Sequence, residues 1–312
     1  VNRFLFVDGH YFMYRSFFAI RGLRDSQGRP TNAIFGFLKA LRKMIADLAP
    51  THGAVFWDCG LPERRTALQP AYKQQRPEMP GDLRAQEDRI VALCPLLGLR
   101  SISVLNVEAD DLIASYSHQA PPDSEIIIAT ADKDILQVVT DKVRVYSTAK
   151  TDLTTPEAAR SGYALLGAAE VEAKWGVPAP AIRDVLALMG DASDNIPGVP
   201  GIGEKTACSL IRQFGSVHAL LENLPKLANE KLRAKIDAAR DLIFANYEMV
   251  RLDRDLPLPV PFSELKLIPD PAGYNAFLRE CEFRSLLAET EETPTTPLAA
   301  SGSLPPIQGE LF

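Results

Sequence analysis

The 312-residue chain is poor in the residues that announce most metal and redox chemistries. Its four cysteines, Cys59, Cys94, Cys208 and Cys281, form no CxxC pair and no finger spacing. A zinc ribbon and a disulfide scaffold are thereby excluded, and reduced thiols are the plain reading. The four histidines are scattered with no HExxH pair, so a zincin-type site is excluded as well. No run of about 18 apolar residues and no secretory leader is seen, so the expectation is a cytoplasmic protein with no membrane partner. A monomer is expected. Positive charge is not in excess either: 34 Lys and Arg against 40 Asp and Glu leave a net charge of −6. That sum weighs little against nucleic-acid binding, because local basic patches govern such contacts.

What the chain does have is carboxylate at the ends of strand-like runs. Asp8 closes Arg3-Phe4-Leu5-Phe6-Val7, and Asp58 closes Ala54-Val55-Phe56-Trp57. Glu108, Asp110 and Asp111 follow Ser101-Ile102-Ser103-Val104-Leu105, while Asp132 and Asp134 follow Glu125-Ile126-Ile127-Ile128-Ala129-Thr130. Asp191 and Asp194 stand in a loop far downstream. Seven of these nine lie just past a β-branched or aromatic run, where open parallel sheets bind ligands. Taken singly, an Asp after a strand is a cap, and acidic residues at a helix start answer the dipole. Together in one pocket, nine carboxylates would repel or take up protons unless cations neutralised them. All-oxygen ligands favour Mg²⁺ or Mn²⁺ over zinc, and two or more ions are expected.

Organisation changes along the chain. Strand-like runs at 3–7, 53–57, 100–105, 125–130 and 143–147 alternate with helical spacing at 33–48 and 86–97, which predicts a mainly parallel sheet wrapped by helices. Residues 60–84 carry Pro62, Pro70, Pro77 and Pro80 and few large apolar side chains, so a mobile loop or a helix formed on binding is expected there. Beyond about 155 the strand signal stops. Helices are predicted at 168–189, 204–214, 217–222, 231–247 and 272–287, with Ala207, Leu210, Ile211 and Phe214 on one face and Gly215 as a cap. The Thr-, Pro- and Ser-rich stretch 289–307 reads as a tether. The expected units are therefore 1–167, 168–288 and 289–312.

Gly190 to Ala207 (GDASDNIPGVPGIGEKTA) crowds glycines ahead of a helix, exposing backbone N–H groups to which a phosphate can dock. Lys205 adds a charge and Thr206 a hydroxyl. A nucleotide-binding P-loop fails on register, since Glu204 stands where that motif requires Lys.

VDGH, FWD, EADD and TADKD in this order, followed by that glycine loop, resemble the 5′-nuclease family. Its members include flap endonucleases and the 5′–3′ exonuclease domain of bacterial DNA polymerase I. The resemblance covers about residues 3–288. It implies an α/β fold with a mainly parallel twisted sheet flanked by helices, a PIN-like core, and a C-terminal all-helical helix–three-turn–helix domain. It also implies structure-dependent cleavage of DNA with a 5′ flap or 5′ end, in replication and repair, by two metal ions. Asp8, Asp58, Glu108, Asp110 and Asp111 would hold one ion, and Asp132, Asp134, Asp191 and Asp194 the other.

By the same resemblance, Tyr72, Lys73 and Arg76 form the YKxxR of an arch over the site, with Lys73 and Arg76 acting on the reacting phosphate. Arg64 stands there in place of a common aromatic residue. Arg15, Tyr72, Gly201, Gly203, Lys205 and Thr206 are expected to contact DNA, whereas Phe17 and Phe18 are expected to be buried. Main-chain carbonyls of Leu188, Met189, Pro197, Val199 and Ile202 would hold a K⁺ ion. Gln308, Leu311 and Phe312 resemble the bacterial sliding-clamp peptide. A free-standing enzyme is expected. The alternatives are a non-catalytic, clamp-tethered DNA-structure-binding protein and a related nuclease acting mainly on RNA.

Overall fold

The computed structural model describes residues 2–292. Six strands, β1 Asn2–Asp8, β2 His52–Phe56, β3 Arg100–Ile102, β4 Ser124–Ala129, β5 Val143–Ser147 and β6 Ala164–Leu166, form one sheet in the order β3-β2-β1-β4-β5-β6. All neighbours are parallel except β5 and β6. The chain moves outward from β1 through β2 to β3, then crosses back to place β4 on the other side of β1. That reversal opens a crevice at the carboxyl ends of β1, β2 and β4.

Alternate residues point to opposite faces of a strand, and here both faces are covered. Phe4, Phe6, Ala54, Phe56, Ile126 and Ile128 face one core, while Leu5, Val7, Val55, Ile127 and Ala129 face the other. Helices α1 Gly9–Ala19, α2 Asn32–Leu48, α3 Glu63–Leu68, α4 Gly81–Leu96 and α5 Ala109–His118 accompany these strands, with α6 Pro156–Ser161 before β6. The amphipathic α2 buries Ile34, Phe37, Leu38, Leu41 and Ile45. Its first N–H groups are capped at a distance, since Ala33 and Ile34 N–H donate to Gln86 Oε1 on α4 at 2.9 and 3.2 Å.

The helical part comprises α7 Ala168–Trp175, α8 Ile182–Met189, α9 Glu204–Phe214, α10 Val217–Glu222, α11 Glu230–Ala238 and α12 Arg240–Met249. A two-strand hairpin, β7 Gly190–Asp191 with β8 Ile196–Pro197, lies between α8 and α9. The chain then returns to the sheet through α13 Pro271–Glu280 and α14 Arg284–Glu292. Among the described residues no helix is long and apolar enough to cross a membrane.

Several expectations are corrected. The helix predicted over 168–189 breaks after Trp175, because Gly176 takes φ +69° and Pro178 and Pro180 follow. The one predicted at 231–247 is two helices meeting at Ala239. The strand expected over 100–105 ends at Ile102, since β3 is an edge strand and Leu105 is already 74% exposed. β6, too short to show a period, was not expected. The stretch 60–84 is a loop only in part: α3 and the start of α4 lie in it on either side of the turns at 69–80, and Tyr72 is buried.

The helical unit does not extend to 288. Tyr274, Phe277, Leu278 and Phe283 join the core of the sheet's α2–α4 face, and Leu267 N–H donates to Thr51 O at 3.0 Å. α14 also runs to Glu292, past the expected start of the tether. Gln308, Leu311 and Phe312 lie outside the described residues.

Candidate metal centre and nucleic-acid face

Asp8 is held by the turn that its own strand makes. It caps α1, accepting Tyr11 N–H at 3.0 Å, and its other oxygen accepts the Thr130 hydroxyl at 2.9 Å. The turn requires Gly9, because a Cβ there would lie 2.5 Å from the Trp57 ring. Asp58, just past β2, accepts Ala109 N–H at 2.8 Å and so ties the crevice to the start of α5. Asp132 accepts Asp134 N–H at 2.8 Å. These donors fix the backbone of four separate segments around one opening.

Electrostatics shows which carboxylates belong together. Burial, with the charges of Asp58 and Asp132 adding to it, pushes Asp8 up to about 7. Asp110 is raised well above the carboxylate range by burial and then by Asp132, Asp8 and Asp58. Asp134 is raised likewise by burial and by Asp132, Asp191 and Asp194. Asp132 is raised by burial, with Asp194 and Asp191 adding to it. Asp191 differs. Burial pushes it up, but hydrogen bonds from Ser193 and Lys133 outweigh that and hold it below the usual range. Lys133 stands 3.0 Å from it.

Among the described residues no three acidic, histidine or cysteine side chains are gathered tightly enough to hold a metal ion as they stand. Asp110 Oδ1 and Asp134 Oδ1 are buried without a hydrogen-bond partner. Such orphaned oxygens are costly unless a ligand takes them. Their hard-oxygen chemistry fits a divalent ion of the Mg²⁺ class.

The remaining expected ligands are engaged by cations of the same chain. Lys73 pairs with Glu108 and stands 3.7 Å from Asp194, while Arg76 pairs with Asp194 at 2.6 Å. Asp111 is paired with Arg65. It is 2% exposed and held at 2.6 and 2.9 Å, a pairing its position beside Asp110 in the sequence does not reveal. Tyr72 is not on the surface as an expected DNA contact should be. Its ring is buried, and its hydroxyl donates to Glu108 and Asp194 at 3.0 and 2.9 Å. Lys73 takes φ +55° in a turn, so no helix places it and Arg76 on one face.

The glycine loop presents a different surface. Gly201 (φ +81°), Gly203 and Lys205 are exposed, Thr206 is half-buried, and Gly203 begins α9 with free N–H groups. Lys235 Nζ stands beside Gly201, a cation that sequence spacing could not have placed there. At the root of the loop, a Cβ on Gly198 would lie 2.1 Å from Met189 O, so only glycine closes the β7–β8 hairpin that carries Asp191 and Asp194. Leu188 O, Pro197 O and Val199 O already accept hydrogen bonds from Val199, Asn246 and Ile202, each keeping a second lone pair. Arg15 is exposed beside Phe12, and Phe18, expected in the core, is 59% exposed.

Comparison with known proteins gives consistent results. Residues 3–176 match the family model "5′-3′ exonuclease, N-terminal resolvase-like domain", and residues 177–271 match "5′-3′ exonuclease, C-terminal SAM fold". The chain is 35% identical over 288 residues to the 5′-3′ exonuclease of Aquifex aeolicus, covering 92% of this chain and 94% of that one. It is 39% identical over 289 residues to the thermostable DNA polymerase I of Thermus thermophilus, spanning 33% of that protein's length. Among solved structures, T5 5′-exonuclease with bound zinc aligns at 22% identity with a TM-score of 0.63, covering 81% of this chain and 90% of that one. The catalytic core of Rad2 in complex with DNA substrate aligns at 17% identity and 0.57, covering 90% and 88%. These two establish likeness of fold.

Proposed function

Since the chain belongs to the 5′-3′ exonuclease family, we propose that it hydrolyses DNA phosphodiesters near 5′ ends and at the base of 5′ flaps, using Mg²⁺ or Mn²⁺. The observation that carries this reading is the pair of buried, partnerless oxygens on Asp110 and Asp134 amid carboxyls held above their usual range. Asp8, Asp110, Asp132 and Asp134 are the inner ligands, with Asp58, Glu108, Asp191 and Asp194 around them. Asp111 is left out, because Arg65 occupies both its oxygens. When bound, divalent ions lower the pKa of a water and offset charge on the leaving 3′ oxygen.

The chain's own cations do the rest. Lys73 and Arg76, now resting on Glu108 and Asp194, swing to a phosphate entering the crevice and offset its developing charge. The loop Gly201–Lys205, with Thr206 and Lys235, grips a duplex through its backbone, so affinity falls with salt and carries little sequence preference. The carbonyls of Leu188, Met189, Pro197, Val199 and Ile202 would hold K⁺, which would add positive charge beside that loop for a phosphate. Arg15 and the exposed Phe18 face the same DNA, the cation for phosphate and the ring for stacking. The enzyme works on nucleoid DNA in the bacterial cytoplasm, in primer or flap removal and repair. The terminal Gln308, Leu311 and Phe312 anchor it to a sliding clamp.

Cleavage-site mapping on a labelled 5′-flap substrate tests this reading. Cuts at the flap base with Mg²⁺, and none with EDTA, are expected. An intact flap in both conditions would refute it, and faster cutting of an RNA flap would reassign the substrate.

A further inference from the structure

Arg65 belongs to α3, at the root of the segment that resemblance assigns to a DNA-facing arch, yet it is only 4% exposed. Its guanidinium is consumed by three parts of the molecule. Nη1 and Nη2 fork onto Asp111, and Nη1 also donates to Glu108. Nε donates to Met249 O at 3.0 Å and Nη2 to Arg251 O at 2.9 Å. The junction is reinforced on both sides. Asp253 N–H donates to Asp111 Oδ1 at 2.9 Å, and Arg64 donates to Arg251 O at 2.8 Å. The root of the arch, the first turn of α5 and the chain leaving α12 therefore meet at one side chain.

We infer that Arg65 is a positioning residue for Glu108, which it fixes relative to the chain leaving the helical unit while keeping Asp111 out of the metal centre. The inference rests on the metal-dependent nuclease reading above. Only a planar group with five donors can serve two carboxylates and two carbonyls at once; a lysine has neither the fork nor the number. Glu108 also accepts from Tyr72 and Lys73, so its orientation is the sum of three donors from the arch segment. Partners that orient a metal-ligating group commonly contribute about 10–100-fold to metal affinity.

Mn²⁺ binding to the DNA-free protein, followed by electron paramagnetic resonance, tests this alongside steady-state flap cleavage. Arg65→Met is expected to weaken Mn²⁺ by about tenfold or more and to lower kcat with little change in KM, and Arg65→Lys to recover part of both. Asp111→Asn is expected to bind as many ions as the unaltered protein. Arg65→Met alone strands two buried carboxylates and can fail to fold, so Arg65→Met/Asp111→Leu removes the charge pair together, which is far milder. That double variant is expected to fold and to stay deficient in Mn²⁺ binding. Full Mn²⁺ affinity in it would overturn the inference, leaving Arg65 a mere counter-ion, as would loss of an ion in Asp111→Asn. Absence of Mn²⁺ binding by the unaltered protein would instead overturn the nuclease reading.

Discussion

The two edges of the same parallel sheet handle acidic side chains in opposite ways. Where the strands begin, Glu125 on β4 is flanked by Arg3 on β1 and Arg144 on β5, and Arg3 goes on to donate to Leu48 O at 2.6 Å. These three charges pair with one another across neighbouring strands. Where the strands end, burial and then neighbouring carboxylates raise the proton affinity of Asp8, Asp110, Asp132 and Asp134, and two of their oxygens have no partner. The first arrangement serves the fold. The second costs stability and is retained for what it can bind. Asp110 and Asp111 repeat the contrast across one peptide bond, one orphaned and the other fully paired.

Substitutions at the two edges sharpen this comparison. The largest effect is expected from Asp110→Asn with Asp134→Asn: flap cleavage falls by at least about a hundredfold. The metal-free double variant melts higher than the unaltered protein, because repulsion is relieved. A lower melting temperature would break the contrast. Next is Gly198→Ala, where a Cβ 2.1 Å from Met189 O must displace the hairpin bearing Asp191 and Asp194. A loss of about 1–3 kcal/mol in denaturant unfolding, together with weaker cleavage, is expected.

The pH dependence follows from Asp8, whose proton affinity rises from 3.8 to about 7 on folding. Between those values the folded chain holds more protons than the unfolded one, so stability falls as pH rises through the window. Melting in EDTA should accordingly be lower at pH 8 than at pH 5, with Mg²⁺ restoring more at pH 8. Glu125→Gln should do least, changing stability by about 1 kcal/mol or less and leaving cleavage untouched. A large loss of cleavage there would erase the distinction between the edges.

The sheet was legible because Phe4–Val7 and Ile126–Ala129 are buried on both faces, and such runs announce themselves. The acidic edge was legible because Asp8 closes β1 and Asp58 and Asp132 stand within a few residues of the ends of β2 and β4. What sequence could not decide were choices made by distant partners. Asp110 and Asp111 read alike until Arg65 takes one of them. Tyr72 reads as a surface aromatic until Glu108 and Asp194 accept its hydroxyl. The return of α13 to the sheet depends on Tyr274 and Leu278 fitting against α4 and its neighbours, which helical periodicity alone does not show.

The most direct test of the acidic edge is a calorimetric Mg²⁺ titration of the DNA-free protein near pH 7, run in two buffers of different ionisation enthalpy. Protons should leave the protein as Mg²⁺ binds, and the release should shrink in Asp110→Asn/Asp134→Asn. Binding with no proton release, or no binding at all, would contradict the account.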